Sequence, residues 1–61
     1  MKFSLKDLRN KHGYTQEEVA LKLGYSSKSG YSMLENGKVN LSISKAKILS
    51  ELYKIDIKNF L

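Results

Sequence analysis

Residues 24–37, GYSSKSGYSMLENG, carry this chain's densest set of small hydrogen-bonding side chains. Four serines (Ser26, Ser27, Ser29, Ser32) and three glycines fall within fourteen residues. On composition alone that is a loop. The spacing points elsewhere. With Ser27 as a cap, Ser27, Tyr31 and Leu34 fall on one face of a helix at i, i+4 and i+7. Ser29, Ser32, Met33 and Asn36 fall on the opposite face. Gly37 closes the helix, and Gly30 inside it costs about 1 kcal/mol relative to alanine. Hydroxyls, an amide and an ammonium (Lys28) at this spacing donate and accept hydrogen bonds. That is the chemistry of recognition, and no catalytic set or effector pocket accompanies it. The chain has no cysteine and one histidine, His12. It therefore lacks thiolate ligands, and His12 has too few partners to build a metal site. No cofactor is expected.

Helices must position these groups, and their punctuation is legible on both sides. In Phe3-Ser4-Leu5-Lys6-Asp7-Leu8, Ser4 is an N-cap and Asp7 occupies N3. Phe3 and Leu8 have staple spacing. That helix is expected to run to about Lys11 and to stop at Gly13. Tyr14-Thr15-Gln16-Glu17-Glu18-Val19 repeats the pattern with Thr15 as cap, Glu18 at N3 and Tyr14 against Val19. Val19, Ala20 and Leu23 form its inward stripe, and Gly24 ends it. After Lys38–Leu41, Ser42 or Ser44 caps a fourth helix with a main apolar stripe of Ile43, Ala46, Leu49 and Tyr53. Ile48 and Leu52 lie beside that stripe. Asp56 caps a last short turn carrying Ile57, Phe60 and Leu61. No strand signal is comparable, so the expected fold class is all-α, with four to five short helices in one domain spanning 1–61.

A chain of 61 residues buries only about 60% of its unfolded surface. It has room for a helical core but not for a large enzyme cleft, and no enzymatic activity is expected. No apolar run approaches the roughly 20 residues that span a bilayer. Charge interrupts MKFSLKDL too early for a signal peptide. Eleven Lys and Arg against six Asp and Glu leave +5, which favours polyanionic partners.

Two short helices, 15–23 and about 28–36, joined by a turn containing Gly24 make a helix-turn-helix. TQEEVALKLG at 15–24 and YSMLENGK at 31–38 resemble the Cro/phage-repressor (XRE-like) family of transcriptional regulators. Leu8-Arg9 upstream and the spacing to Ile43, Leu49 and Tyr53 agree, so the resemblance covers roughly residues 4–60. It departs at one point: the turn holding Tyr25, Ser26 and Ser27 is one residue longer than the common pattern. A subgroup with turns reading like GYxSKSxYS is similar in this respect.

The resemblance implies a lambda-repressor-like DNA-binding domain with the third helix in the major groove. Ser27, Lys28 and Ser29 then stand at the start of the reading helix, with Ser32 and Met33 one turn on. Lys28 can donate to guanine O6 and N7, and Met33 can touch a thymine methyl. Gln16 at the start of the second helix is expected to anchor a backbone phosphate. Asn36, Lys38 and Asn40 are expected to meet phosphates beyond the third helix. The resemblance also pairs Arg9 with Glu35 as a structural ion pair.

The expected function is a sequence-specific double-stranded-DNA regulator in the cytoplasm of a bacterium or encoded by a phage. It is expected to act as a repressor by operator occlusion, as a dimer on DNA, with no small-molecule ligand. The apolar C-terminal set (Ile48, Leu52, Ile55, Ile57, Phe60, Leu61) is either core or a dimer surface. Tyr25 either packs over the turn or touches DNA. His12 ends the first helix near its negative pole. A protein-interaction or antitoxin-like module is the rival from another class, and non-specific polyanion or membrane-surface binding is a second. No helix has the continuous basic face opposite a wide apolar one that membrane-surface binding requires.

Overall fold

The helix caps organise the fold. The computed structural model describes residues 4–60. It contains α1 (Leu5–Lys11), α2 (Gln16–Lys22), α3 (Lys28–Glu35), α4 (Ile43–Tyr53) and a closing 3-10 turn (Ile57–Phe60). No described residue is in a strand. The described residues fill about 26 × 23 × 17 Å.

Every start except that of α3 has a side-chain reason. Ser4 accepts from the Asp7 N–H at 3.0 Å, and Ser42 accepts from the Lys45 N–H at 3.3 Å. Thr15 and Glu18 form the full reciprocal box: Glu18 N–H donates to Thr15 Oγ1 (3.1 Å) and Thr15 N–H to Glu18 Oε1 (2.8 Å). The Thr15 backbone bond, then the Thr15 side chain, holds the Glu18 carboxyl below its usual range. At the Ser4 cap the return bond from Asp7 is not among the hydrogen bonds formed, and Phe3 of the expected staple lies outside the described residues. Asp56 Oδ1 accepts from the Lys58 N–H at 3.0 Å and starts the closing turn.

α2 and α3 are joined through Gly24, whose φ of +89° is left-handed backbone that a side chain would strain. α4 ends at Lys54, a non-glycine residue in the same region, with φ +56°.

The core draws on every helix. Leu5 and Leu8, Val19, Ala20 and Leu23, Tyr31 and Leu34, then Ala46, Leu49 and Tyr53 are buried together with Phe60. Fully burying one large apolar side chain stabilises by about 1.5–3 kcal/mol. Two expectations about faces need correction, and one open alternative is resolved. Ile43 is 70% exposed and lies off the apolar stripe. It is the first residue of α4, and the core-facing row begins one turn later, at Ala46. Ser27 is exposed rather than inward, because its extended backbone (φ −150°) places it outside the helical frame that the angular count assumed. Of the C-terminal apolar set, Phe60 is buried, while Leu52, Ile55 and Ile57 pack half-buried on the core. Only Ile48 is exposed, at 38%. Leu61 lies outside the described residues.

Candidate nucleic-acid interface

Glu35, the last residue of α3, is the hub that fixes the helix-turn-helix on α1. Arg9 of α1 donates to it twice, from Nε to Oε2 at 2.9 Å and from Nη2 to Oε1 at 3.2 Å. The same guanidinium donates through Nη1 to the Tyr14 carbonyl at 3.0 Å. Gln16 of α2 adds a third bond, from Nε2 to Glu35 Oε1 at 3.2 Å. The pair is largely removed from water, with the side chains 12% (Arg9) and 4% (Glu35) exposed. Burial alone would raise the Glu35 pKa, but the Arg9 fork, the Tyr31 hydroxyl and the Gln16 amide together outweigh it and hold the carboxyl below its usual range. The hydrogen bonds to Glu35 push Arg9 up against its own burial. A bidentate fork of this kind sets orientation as well as energy.

The buried hydroxyls of Tyr31 and Tyr53 lie beside this pair, and the Tyr31 hydroxyl helps hold the Glu35 pKa down, although neither hydroxyl reaches full hydrogen-bond geometry. Burial pushes both pKa values above the ordinary tyrosine range.

The start of α3 is left open. Ser27 precedes the helix but makes no capping bond. Its hydroxyl is instead 2.8 Å from the Ser29 hydroxyl. The first N–H groups of α3 therefore have no side-chain cap, and Ser27, Lys28 and Ser29 are all exposed. One turn on, Met33 is 41% exposed. Ser32 is half-buried and accepts from the Asn36 amide at 3.3 Å. Lys38 and Asn40 are exposed on the connection after α3.

Lys28 and Gln16 meet in one groove. A cavity of about 470 Å³ between the starts of α2 and α3 is lined by Arg9, Tyr14, Thr15, Gln16, Glu17 and Lys28. Ser29, Ser32, Met33, Asn36, Lys38 and Asn40 lie outside that lining. The two sets differ chemically. Gln16 and Lys28 contribute an amide and an ammonium to the lining of one open groove. The α3 face offers small polar groups and one thioether.

One relationship escaped the sequence, and one open alternative is resolved. The Gln16–Glu35 bond joins residues nineteen positions apart, and helical spacing carries no information at that range. The alternative concerns Tyr25, whose ring is half-buried against the core. Lys45 Nζ lies 5.0 Å from its ring centroid. Tyr25 packs over the turn.

Among the described residues, no group of three or more His, Cys, Asp or Glu is placed to hold a metal ion. None of the described helices is long and apolar enough to cross a membrane. No curated protein and no solved structure matches the chain. A helix-turn-helix family model matches residues 5–60. With its turn between α2 and α3 and its polar face on α3, the chain belongs to the Cro/phage-repressor (XRE-like) helix-turn-helix family of DNA-binding transcriptional regulators.

Proposed function

We propose that residues 1–61 act as one domain that reads a specific double-stranded operator, with α3 in the major groove, and represses by occupying it as a dimer. The observation that carries the reading is the open start of α3 beside an anchored α2. Ser27, Lys28 and Ser29 are exposed there without a cap, while Glu35 locks the far end of the same helix to α1 and α2.

In this reading Lys28 and Ser29 address base edges first, and Ser32 and Met33 follow one turn on. Gln16 holds a backbone phosphate at the start of α2. Its Nε2 already donates to Glu35, so the side chain is fixed before DNA arrives. Asn36, Lys38 and Asn40 contact phosphates on the other side of the contact. The net charge of +5 speeds encounter with DNA of any sequence. Such a regulator works beside DNA in the cytoplasm of a bacterium, encoded by the cell or by a phage.

The dimer rests on the symmetry of two half-sites about one helical turn apart. The C-terminal apolar residues add little to it, because most of them turn toward the core. The test is affinity for a selected operator against affinity for random duplex at one salt concentration. A ratio of about 10³ or more supports specific reading. A ratio near one leaves only charge-driven binding.

A further inference from the structure

Gly30 sits in the first turn of α3 with ordinary right-handed backbone, unlike Gly13, Gly24 and Gly37. It is not there for a left-handed φ. The reason is space. A Cβ built at position 30 would lie 2.6 Å from Tyr25 Cδ1, 2.9 Å from Cε1 and 3.2 Å from Cγ. Those atoms include the root of a rigid ring, so the ring cannot relieve the overlap by bending its tip. Tyr25 is held from other directions as well. Its N–H donates to the Ala20 carbonyl at 2.9 Å, its ring packs half-buried on the core, and Lys45 of α4 stands 5.0 Å from the ring centroid.

We infer that Tyr25 is a positioning residue for the reading helix: its ring, seated in the notch Gly30 leaves on α3, sets where Lys28 and Ser29 stand relative to α2. This rests on the reading of α3 as the DNA-contacting helix. Ser27 gives the start of α3 no capping bond, and the ring-to-glycine contact ties that start to the turn instead. Lys28 and Ser29 immediately precede Gly30, so any displacement at the notch is passed to them directly.

The test compares the wild-type chain with Gly30→Ala, Tyr25→Ala, Tyr25→Phe and the Gly30→Ala/Tyr25→Ala double variant. Two quantities are read: the thermal midpoint, and the ratio of affinities for a library-selected operator and random duplex at one salt concentration. Alanine is the better helix former, so the notch predicts a reversal of sign. Gly30→Ala lowers the midpoint when Tyr25 is present and raises it when position 25 is alanine. Gly30→Ala and Tyr25→Ala each lower the specificity ratio by about tenfold or more, the scale of one lost base pair. Tyr25→Phe keeps both quantities, since the ring and not the hydroxyl does the positioning. If Gly30→Ala does not fold, the contrast between Tyr25→Ala and Tyr25→Phe decides alone. A raised midpoint for Gly30→Ala in the wild-type background overturns the inference. So does an equal loss on operator and random DNA for Tyr25→Ala. A wild-type chain that enriches no motif overturns the DNA reading and the positioning role together. A wild-type motif left untouched by these variants overturns the positioning role alone.

Discussion

Arg9 and Glu35, 26 positions apart, are joined by two parallel hydrogen bonds of 2.9 and 3.2 Å, and through them α1 carries the end of α3. Removing one partner from a buried pair leaves the other charge uncompensated. Arg9→Ala is expected to destabilise the fold by about 3 kcal/mol, near the low end for buried pairs because the Arg9 side chain keeps some contact with water. Arg9→Met combined with Glu35→Leu should cost less than either substitution alone. Urea denaturation of Arg9→Ala, of the two single substitutions and of the double variant checks this. A loss below about 1 kcal/mol for Arg9→Ala would place the pair with exposed ion pairs instead.

The depressed Glu35 pKa makes the same contact sensitive to acid. The folded state binds this proton less readily than the unfolded state does. Its contribution is therefore fully present above the unfolded glutamate value of about 4.3 and is lost as pH falls through the lower folded value. Stability followed from pH 7 downward should drop below about pH 4.3, and the drop should be shallower in Glu35→Gln. An unchanged acid profile in that variant would remove Glu35 from the linkage.

Tyr31 gives the opposite limb. Burial raises its pKa in the folded state, so the folded chain keeps a proton that the unfolded chain gives up above about pH 10. Stability is full below that value and falls above it. The hydroxyl lies outside full hydrogen-bond geometry but helps hold the Glu35 pKa down, so Tyr31→Phe exchanges a poorly paired buried group for a weaker tie to Glu35. It is expected to be near neutral at pH 7, within about 1 kcal/mol, and to flatten the alkaline fall. A clear loss of stability at neutral pH would mean that the hydroxyl is satisfied after all.

The caps of α1, α2 and α4 were the most legible part of the chain, whereas Ser27 makes no capping bond. Thr15 and Glu18 sit three apart, and the bonds they make close within one turn, so a local pattern determines a local structure. The inward stripe Val19, Ala20, Leu23 was readable for the same reason. Angular counting failed at helix ends. Ser27 and Ile43 were assigned inward faces, but Ser27 is outside the helical frame and Ile43 begins α4 with nothing covering it. The polar face of α3 followed from spacing, whereas the groove uniting Gln16 and Lys28 did not, because it depends on how two helices cross. Gly30 looked like a tolerated cost in a helix. Its reason lies in the Tyr25 ring, and a contact between a turn residue and a helix face leaves no periodic trace.

Lys28 and Lys38 are expected to separate reading from holding. Lys28→Ala should relax preference at one base position by about 1–3 kcal/mol. Lys38→Ala should weaken binding about equally on all duplexes and reduce the salt slope by about 1. Titrations of operator and mutated operators at several salt concentrations distinguish the two. A uniform loss for Lys28→Ala would move it, with Gln16, to a shared phosphate contact in the groove.

The central claim is that the exposed face of α3 reads sequence. Selection from a random duplex library with the wild-type chain tests it most directly. The expected result is an enriched palindrome whose half-sites are centred about one helical turn apart, roughly 10 base pairs. Lys28→Ala is also expected to change the preferred base at a defined position within each half-site. Recovery of no enriched motif, with binding that tracks only salt concentration, would contradict the claim.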